Sequence, residues 1–437
     1  MSVMLGFSVI QLVRRNGHKL DKNIRQELLQ IYSPFRNIPC FLHRPIEYLS
    51  KKVKKLPLII EFEAECFELG IKDVRKTHSG TLSSYPSISC CSTKLSIEKI
   101  EHLLDNCSHI KKIFYDREVT ALLDTAIPSI HSYQLQNAGL TGKDVTVAVI
   151  DTGISPHEDL QGRIKGFKDF INKLDDTPYD DNGHGTHCAG NVAGNGTLSG
   201  GKYKGPAPEA NLVGVKVLNK MGTGSLSSVI SGVDWCIQNQ AQLNIDILSL
   251  SLGSEAQQPA EDDPVVSAVE KAWDNGIVVC VAAGNSGPRS STIASPGTSP
   301  KVITVGAADD RNTIIRSDDI VANFSSRGPT IDGLMKPDLV TTGVNIISLR
   351  SPGSFLDKTN PSARVDSNYF SLSGTSMATP ICAGVIAQML QRNPNLSPDD
   401  IKLHLINACE DMGQDPNSQG NGYLNAENLL KISVREH

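Results

Sequence analysis

Short apolar runs recur between residues 145 and 308, each stopping at small or polar residues. "VTVAVIDTG" (Val145 to Gly153), "ANLVGVKVL", "IDILSLSLG", "GIVVCVAAG" and "VITVGAA" share this form. Between several of them lie helical patterns, such as "SSVISGVDWCIQNQ" and "DDPVVSAVEKAWDNG". Strands apolar on both faces and separated by helices predict an α/β fold, a doubly wound, mostly parallel sheet with helices on both faces. Ligands bind such sheets beyond the carboxyl ends of the strands. Residues at those ends are therefore the ones to read for chemistry.

The first part of the chain patterns differently. Residues 1–50 read as a weakly patterned N-terminal extension with one amphipathic segment, Asp21 to Tyr32. Residues 51–125 alternate: a strand at "LPLIIEFE", a helix near "AECFELGIKDVRK", a strand at "SISCCSTKLS", a helix at "IEKIEHLLDNC" and a strand at "KIFYDREVTALL". That order fits a small α+β unit of β-α-β-β-α-β type. A connecting segment, "IPSIHSYQLQNAGLTGKD", opens the large domain, residues 126–437.

Composition adds limits. A length of 437 residues suits one large domain plus a smaller one. The net charge of −5 is uneven: through residue 125 there are 19 Lys+Arg and 14 Asp+Glu, and beyond it 23 and 33. A basic first part and an acidic remainder are suited to docking on each other. Neither carries the basic stripe that nucleic-acid binding requires. No run of 18 apolar residues predicts a membrane span. The N-terminal apolar run precedes its positive charges, unlike a signal peptide. The ten cysteines include no C-x-x-C pair, and Cys280 and Cys382 sit in apolar stretches. Buried free thiols fit a reducing, cytoplasmic setting.

Three candidates stand at strand ends or helix starts: Asp151, His184 in "DDNGHGTHCAG", and Ser376 in "GTSMATPICAG". Singly, each is an ordinary cap or turn residue. Together they supply a nucleophile, a base that titrates near neutrality, and a carboxylate to orient that base. The order Asp, His, Ser is the subtilisin order, and a lipase would place its serine first. A zinc hydrolase would instead use His184, His187 and a third ligand. A binding protein on a protease scaffold would lack one of these groups.

"VAVIDTGI", "GHGTHCAG", "AAGNSG" and "GTSMATP", with "FSSRGP" and "KPDL", resemble the signature blocks of the subtilisin-like serine proteases over residues 126–437. Among these, the chain is most similar to the AprX-like bacterial subtilases. The resemblance implies a serine endopeptidase in which Asp151 orients, His184 is the base, and Ser376 attacks. It implies that Asn285 and the backbone N–H of Ser376 form the oxyanion hole. It assigns peptide pairing to Ser251, Leu252 and Gly253 and to Gly222, Thr223 and Gly224. Ala282, Ala283 and Gly284 would wall a roomy apolar pocket for the P1 residue, giving broad specificity with a hydrophobic lean. It makes residues 51–125 an inhibitory prodomain, removed by self-cleavage between Leu122 and His131.

No cofactor is needed for such chemistry. The family suggests structural calcium at Asp159, and hard oxygen ligands also gather at Asp175, Asp176, Asp180 and Asp181. His187 reads as a packed structural histidine. Cys188, four residues after His184, falls one turn below it on nearly the same face.

Overall fold

The computed structural model describes residues 7–20, 22–77, 80, 82–85, 89–115, 129–175 and 177–431. The chain forms two units, Met1–Thr120 and Ala121–His437.

The first unit contains helices α1 (Ser8–Arg15), α2 (Lys22–Leu29), α3 (His43–Val53), α4 (Phe67–Thr77) and α5 (Ile97–Asn106). Its strands are β1 (Lys55–Phe62), β2 (Leu82–Tyr85), β3 (Cys90–Ser96) and β4 (Ile110–Tyr115), paired antiparallel in the order β2-β3-β1-β4. The order along the chain is the expected β-α-β-β-α-β, with β2 added to the three strands read from the sequence. Residue 50 marks no break in packing. Val9, Leu12, Leu20, Ile24 and Leu28 join Leu58, Ile60, Ile71, Ile100 and Ile113 in one core. Helices too short to stand alone become stable by burying one apolar face, so residues 7–31 complete this unit and do not form a separate extension.

The second unit opens with a short helix, α6 (Ser132–Asn137). Its central strands are β5 (Thr146–Asp151), β6 (Ile164–Asp169), β7 (Asn211–Lys216), β8 (Ile245–Leu250), β9 (Val278–Ala282), β10 (Ile303–Asp309) and β11 (Leu339–Thr342). They pair in parallel in the order β11-β10-β9-β8-β5-β7-β6. Short strands β12 (Cys409–Glu410) and β13 (Tyr423–Leu424) extend the β11 edge. The sequence pattern located β5, β7, β8, β9 and β10. It missed β6, an edge strand in which only Asp169 is buried, because an exposed strand has no continuous apolar run. Strand order reverses at β5, where a crevice opens.

Helices α7 (His184–Ala193) and α10 (Thr375–Arg392) pack against each other, α7 on β5 and α10 on β8, β9 and β10. Helices α8 (Leu226–Gln238) and α9 (Pro264–Asp274) form another packed pair. Glycine is required at position 185. A Cβ there would lie 2.2 Å from the Gly153 carbonyl oxygen and 3.2 Å from Asp151 Cβ, so only glycine lets α7 rest on the end of β5.

Candidate active site

Asp151 ends β5 and is fully buried. Its two carboxylate oxygens lie 2.8 and 3.0 Å from Nδ1 of His184, the first residue of α7. A carboxylate only accepts, so Nδ1 carries the proton and Nε2 is left as the basic nitrogen. Burial opposes charge on His184, but the Asp151 carboxylate outweighs it. With a smaller push from Cys188, it holds the imidazole well above its ordinary value.

Ser376 follows Thr375 at the start of α10. Its hydroxyl donates to the Ser251 carbonyl at 3.1 Å. Catalytic hydrogen bonds often tighten only once substrate is present, and a serine hydroxyl moves between staggered rotamers. The backbone of Ser376 is held more firmly. Its carbonyl would normally accept from the amide of residue 380, but that residue is proline. The freed oxygen accepts instead from the Ser251 hydroxyl at 2.8 Å and from the Cys188 thiol at 3.4 Å.

Asn285 faces the same point. Its Oδ1 accepts from the backbone N–H and the hydroxyl of Thr375, both at 3.0 Å. Those two donors fix the amide, so Nδ2 turns toward Gly374. A Cβ on Gly374 would lie 3.3 Å from Asn285 Nδ2 and 3.6 Å from the Ser376 nitrogen. Two N–H donors thus border one small space, the geometry that a developing oxyanion requires. The first turn of α10 adds its positive end.

Two cavities meet at Ser251–Gly253. One, about 470 Å³, runs from His184 past Gly222, Thr223 and Gly224 and is walled by Leu218, Met221, Leu226, Val229, Leu252 and Val265. The other, about 530 Å³, reaches Ser376 and Asn285 and is lined by Ala282, Gly284, Ile293 and Ala294, with polar Arg289, Thr292 and Thr330. Eight of the nine expected substrate-contact residues line these cavities. Ala283 does not: it is fully buried, with its backbone bonded to Val305 and Ala294. Ala283 is the first residue after β9, and its burial keeps it off the pocket wall between two neighbours that line it.

The acids proposed for calcium do not converge. Asp175 accepts from Lys168 at 2.5 Å and from the Asp169 amide. Asp181 pairs with the buried ammonium of Lys216 at 2.7 Å, and Asp180 accepts five bonds from uncharged groups. Asp176 lies outside the described residues. Asp159 is fully buried, with one oxygen on the Leu198 amide at 3.0 Å and the other on the Tyr369 hydroxyl at 2.6 Å. The Arg163 guanidinium donates to the carbonyl of Asp159. Calcium needs six to eight converging oxygens, whereas these are committed to protein donors and face a cation. The residues do not fit it.

His187 points away from His184. Its Nε2 lies 3.0 Å from both the Ile346 and Phe370 carbonyls, and burial lowers its pKa to about 3, keeping it neutral. It cannot join His184 as a zinc ligand. Among the described residues, only Asp151, His184 and Cys188 come close enough to share a metal ion. There, His184 Nδ1 is already bonded to Asp151. Cys188 is fully buried, with Sγ 3.8 Å from His184 Nδ1, and its burial pushes the thiol pKa up. Sequence reading missed Thr375, which aims Asn285, and Thr152, whose hydroxyl accepts from the Gly185 amide at 2.9 Å. Both stand directly beside a residue that was identified. Their role depends on partners far away in the chain.

Residues 142–422 match the family model described as the subtilase family. Serine protease AprX of Bacillus subtilis (strain 168) is 54% identical over 98% of this chain and 99% of its own. Subtilisin Savinase of Lederbergia lenta is 38% identical over 69% of this chain and 96% of its own. A solved structure described as a cold adapted subtilisin-like serine proteinase superposes with a TM-score of 0.52 at 34% identity, over 65% of this chain and 90% of that one.

Proposed function

We infer, since this chain belongs to the subtilase family and is a serine endopeptidase, that Asp151, His184 and Ser376 are its triad. The observation that carries the reading is the buried carboxylate of Asp151 on His184 Nδ1, at the crevice that also holds Ser376. With an extended peptide paired to Gly222–Gly224 and Ser251–Gly253, His184 Nε2 takes the proton of the Ser376 hydroxyl as Oγ attacks the scissile carbonyl. The tetrahedral oxyanion is met by Asn285 Nδ2 and the Ser376 amide. His184 then gives its proton to the departing amine, and an acyl-enzyme remains on Ser376. Water, activated by the same imidazole, releases the acid and restores the hydroxyl. Asp151 stabilises the imidazolium throughout.

The P1 preference is hydrophobic and broad, supported by Ala282, Ile293 and Ala294 in the slot beside Ser376. Asp159 takes no calcium, since its carboxylate oxygens are bonded to Leu198 and Tyr369. EDTA therefore leaves the melting temperature unchanged, and a drop restored by added calcium would reverse this reading.

The N-terminal unit acts as an intramolecular inhibitor that the enzyme removes. The charge excess of opposite sign in the two parts supports docking. The expected cleavage window, Leu122 to His131, falls largely outside the described residues. Its end is narrowed by burial: Ser129 and Ile130 are fully buried, and the Ser129 carbonyl accepts from Arg316 Nε at 2.9 Å. A segment so held is a poor extended substrate, which supports cleavage before Ser129. Nine of the ten cysteines are free thiols, which supports a reducing, cytoplasmic location. The test compares wild type with Ser376→Ala by N-terminal sequencing and casein hydrolysis. Wild type should show a new N-terminus between Leu122 and Ser129, and the variant neither processing nor activity. An active, intact wild-type chain refutes self-removal, and an active variant refutes the triad.

A further inference from the structure

Asp180 stands between the segments that carry Asp151 and His184. It is 5% exposed. One of its oxygens accepts from the Thr152 hydroxyl at 2.9 Å, the Asn182 amide at 3.1 Å and the Gly183 amide at 2.8 Å. The other accepts from the Thr186 amide at 2.9 Å and the Thr186 hydroxyl at 2.7 Å. Thr152 follows Asp151 directly. Having donated to Asp180, its hydroxyl accepts from the amide of Gly185, which follows His184 directly, at 2.9 Å. The backbones add a bridge between Gly153 and Asp180.

This is more than helix capping requires. Asn182 already accepts from the His184 amide at 3.1 Å through its side chain, and one short polar side chain is the usual cap. A buried carboxylate pays a desolvation cost that such a cap avoids, and here burial does raise the Asp180 pKa. What the carboxylate adds is reach. It ties the first turn of α7 to the hydroxyl beside Asp151, across the gap that the Asp151–His184 hydrogen bond spans.

We propose that Asp180, acting through the Thr152 hydroxyl, is a positioning residue that holds the Asp151 carboxylate on His184 Nδ1 and so sets turnover without contributing to substrate binding. The proposal rests on the triad assignment above. A displacement of about 1 Å in such a site costs about 10²-fold in rate. Burial lowers the pKa of His184, whereas the facing groups Asp151 and, more weakly, Cys188 raise it, so a looser Asp151 contact lowers the pKa of the imidazole.

The experiment uses the full chain with Asp180→Asn, Thr152→Val, Thr152→Ser and Asp151→Asn. Active sites are titrated with a fluorophosphonate, and hydrolysis of a succinyl-tetrapeptide p-nitroanilide is followed well below each melting temperature. Asp180→Asn should lower kcat by about 10–100-fold, leave KM within about twofold, and move the acid limb of kcat/KM to lower pH. Thr152→Val should do the same, and Thr152→Ser, which keeps the hydroxyl, should recover most of the loss. The downfield Nδ1 proton resonance of His184 should shift or broaden in Asp180→Asn and Thr152→Val but not in Thr152→Ser. If Asp180→Asn does not fold, the Thr152 pair decides. An unmoved acid limb with normal kcat in Thr152→Val overturns the brace. A loss in Asp151→Asn without loss in the others overturns the brace alone, whereas full activity in Asp151→Asn overturns the triad reading beneath it.

Discussion

The two sides of the proposed active site, the base His184 and the nucleophile Ser376, are built from different materials. On the base side, Asp151, Asp180, Lys216 and Asp181 are charged groups held at or near the end of β5, and Lys216 Nζ also donates to the Thr152 carbonyl at 2.7 Å. On the nucleophile side, Thr375, Ser251, Asn285, Cys188 and Pro380 surround Ser376 with neutral groups. The difference follows from what each side must do. The base must gain a charge during the reaction, and a fixed carboxylate stabilises that charge. The serine must stay neutral until the oxyanion forms, so its surroundings offer oriented dipoles that cost little to bury and need no reorganisation. The base side should therefore be sensitive to pH and the nucleophile side insensitive.

The largest effect expected is from Ser376→Ala, which removes the proposed nucleophile and should lower kcat by about 10⁶-fold, the scale known for subtilisin. Asp151→Asn should cost about 10⁴-fold through loss of the correct tautomer, and the pH–rate profile should lose its wild-type acid limb. Asn285→Ala should cost about 10²–10³-fold in kcat with KM and the acid limb unmoved. A shifted limb in Asn285→Ala would break the comparison, since a neutral amide would then be controlling the charge of His184.

The wild-type pH dependence sharpens the same contrast. The pKa of His184 is raised, so activity needs its neutral form and should rise with pH through a limb above 6.5. The stabilising Asp151–His184 charge pair runs the other way. It is fully present below the unfolded-state pKa of His184 and is lost as pH climbs through the raised folded value. Activity and this share of stability should thus change in opposite directions over one pH range, which rate profiles and melting curves on the same samples can check. The smallest effect concerns Cys188. A bulky mercurial should inactivate the wild type by displacing His184, whereas Cys188→Ser should keep its activity after treatment. Equal sensitivity in that variant would assign the reactive thiol to another cysteine.

Much of this site is legible along the chain because its parts sit at strand ends and helix starts, where short motifs mark them. Asp151 ends a strand, and His184 and Ser376 lie in the first turns of their helices. The acids of "DDTPYDDNG" were grouped because they are neighbours in sequence, yet Asp175, Asp180 and Asp181 take separate partners: Lys168, Thr152 with Thr186, and Lys216. The place of Ala283 in "AAG" predicts a pocket wall, but the residue is fully buried just past the end of β9 and lines neither cavity. Residues 7–20 carry little pattern because a helix of eight residues has few apolar positions, whereas the amphipathic segment Asp21 to Tyr32 contains α2; only burial against Ile60 and Ile113 shows that both belong to the core of the first unit.

The amino-acid sequence by itself determined the α/β alternation, the reactive groups and the strand end or helix start at which each would stand. These are local properties, set by hydrophobic periodicity and by side-chain chemistry. Tertiary structure alone decided which groups face each other: Asp180 on Thr152 and Thr186, Tyr369 on Asp159, and Ser251 on the carbonyl that Pro380 leaves free. A buried polar atom must find a partner wherever the fold provides one. The segments that meet at β5 are separated by tens to hundreds of residues, so no stretch of sequence records the pairing.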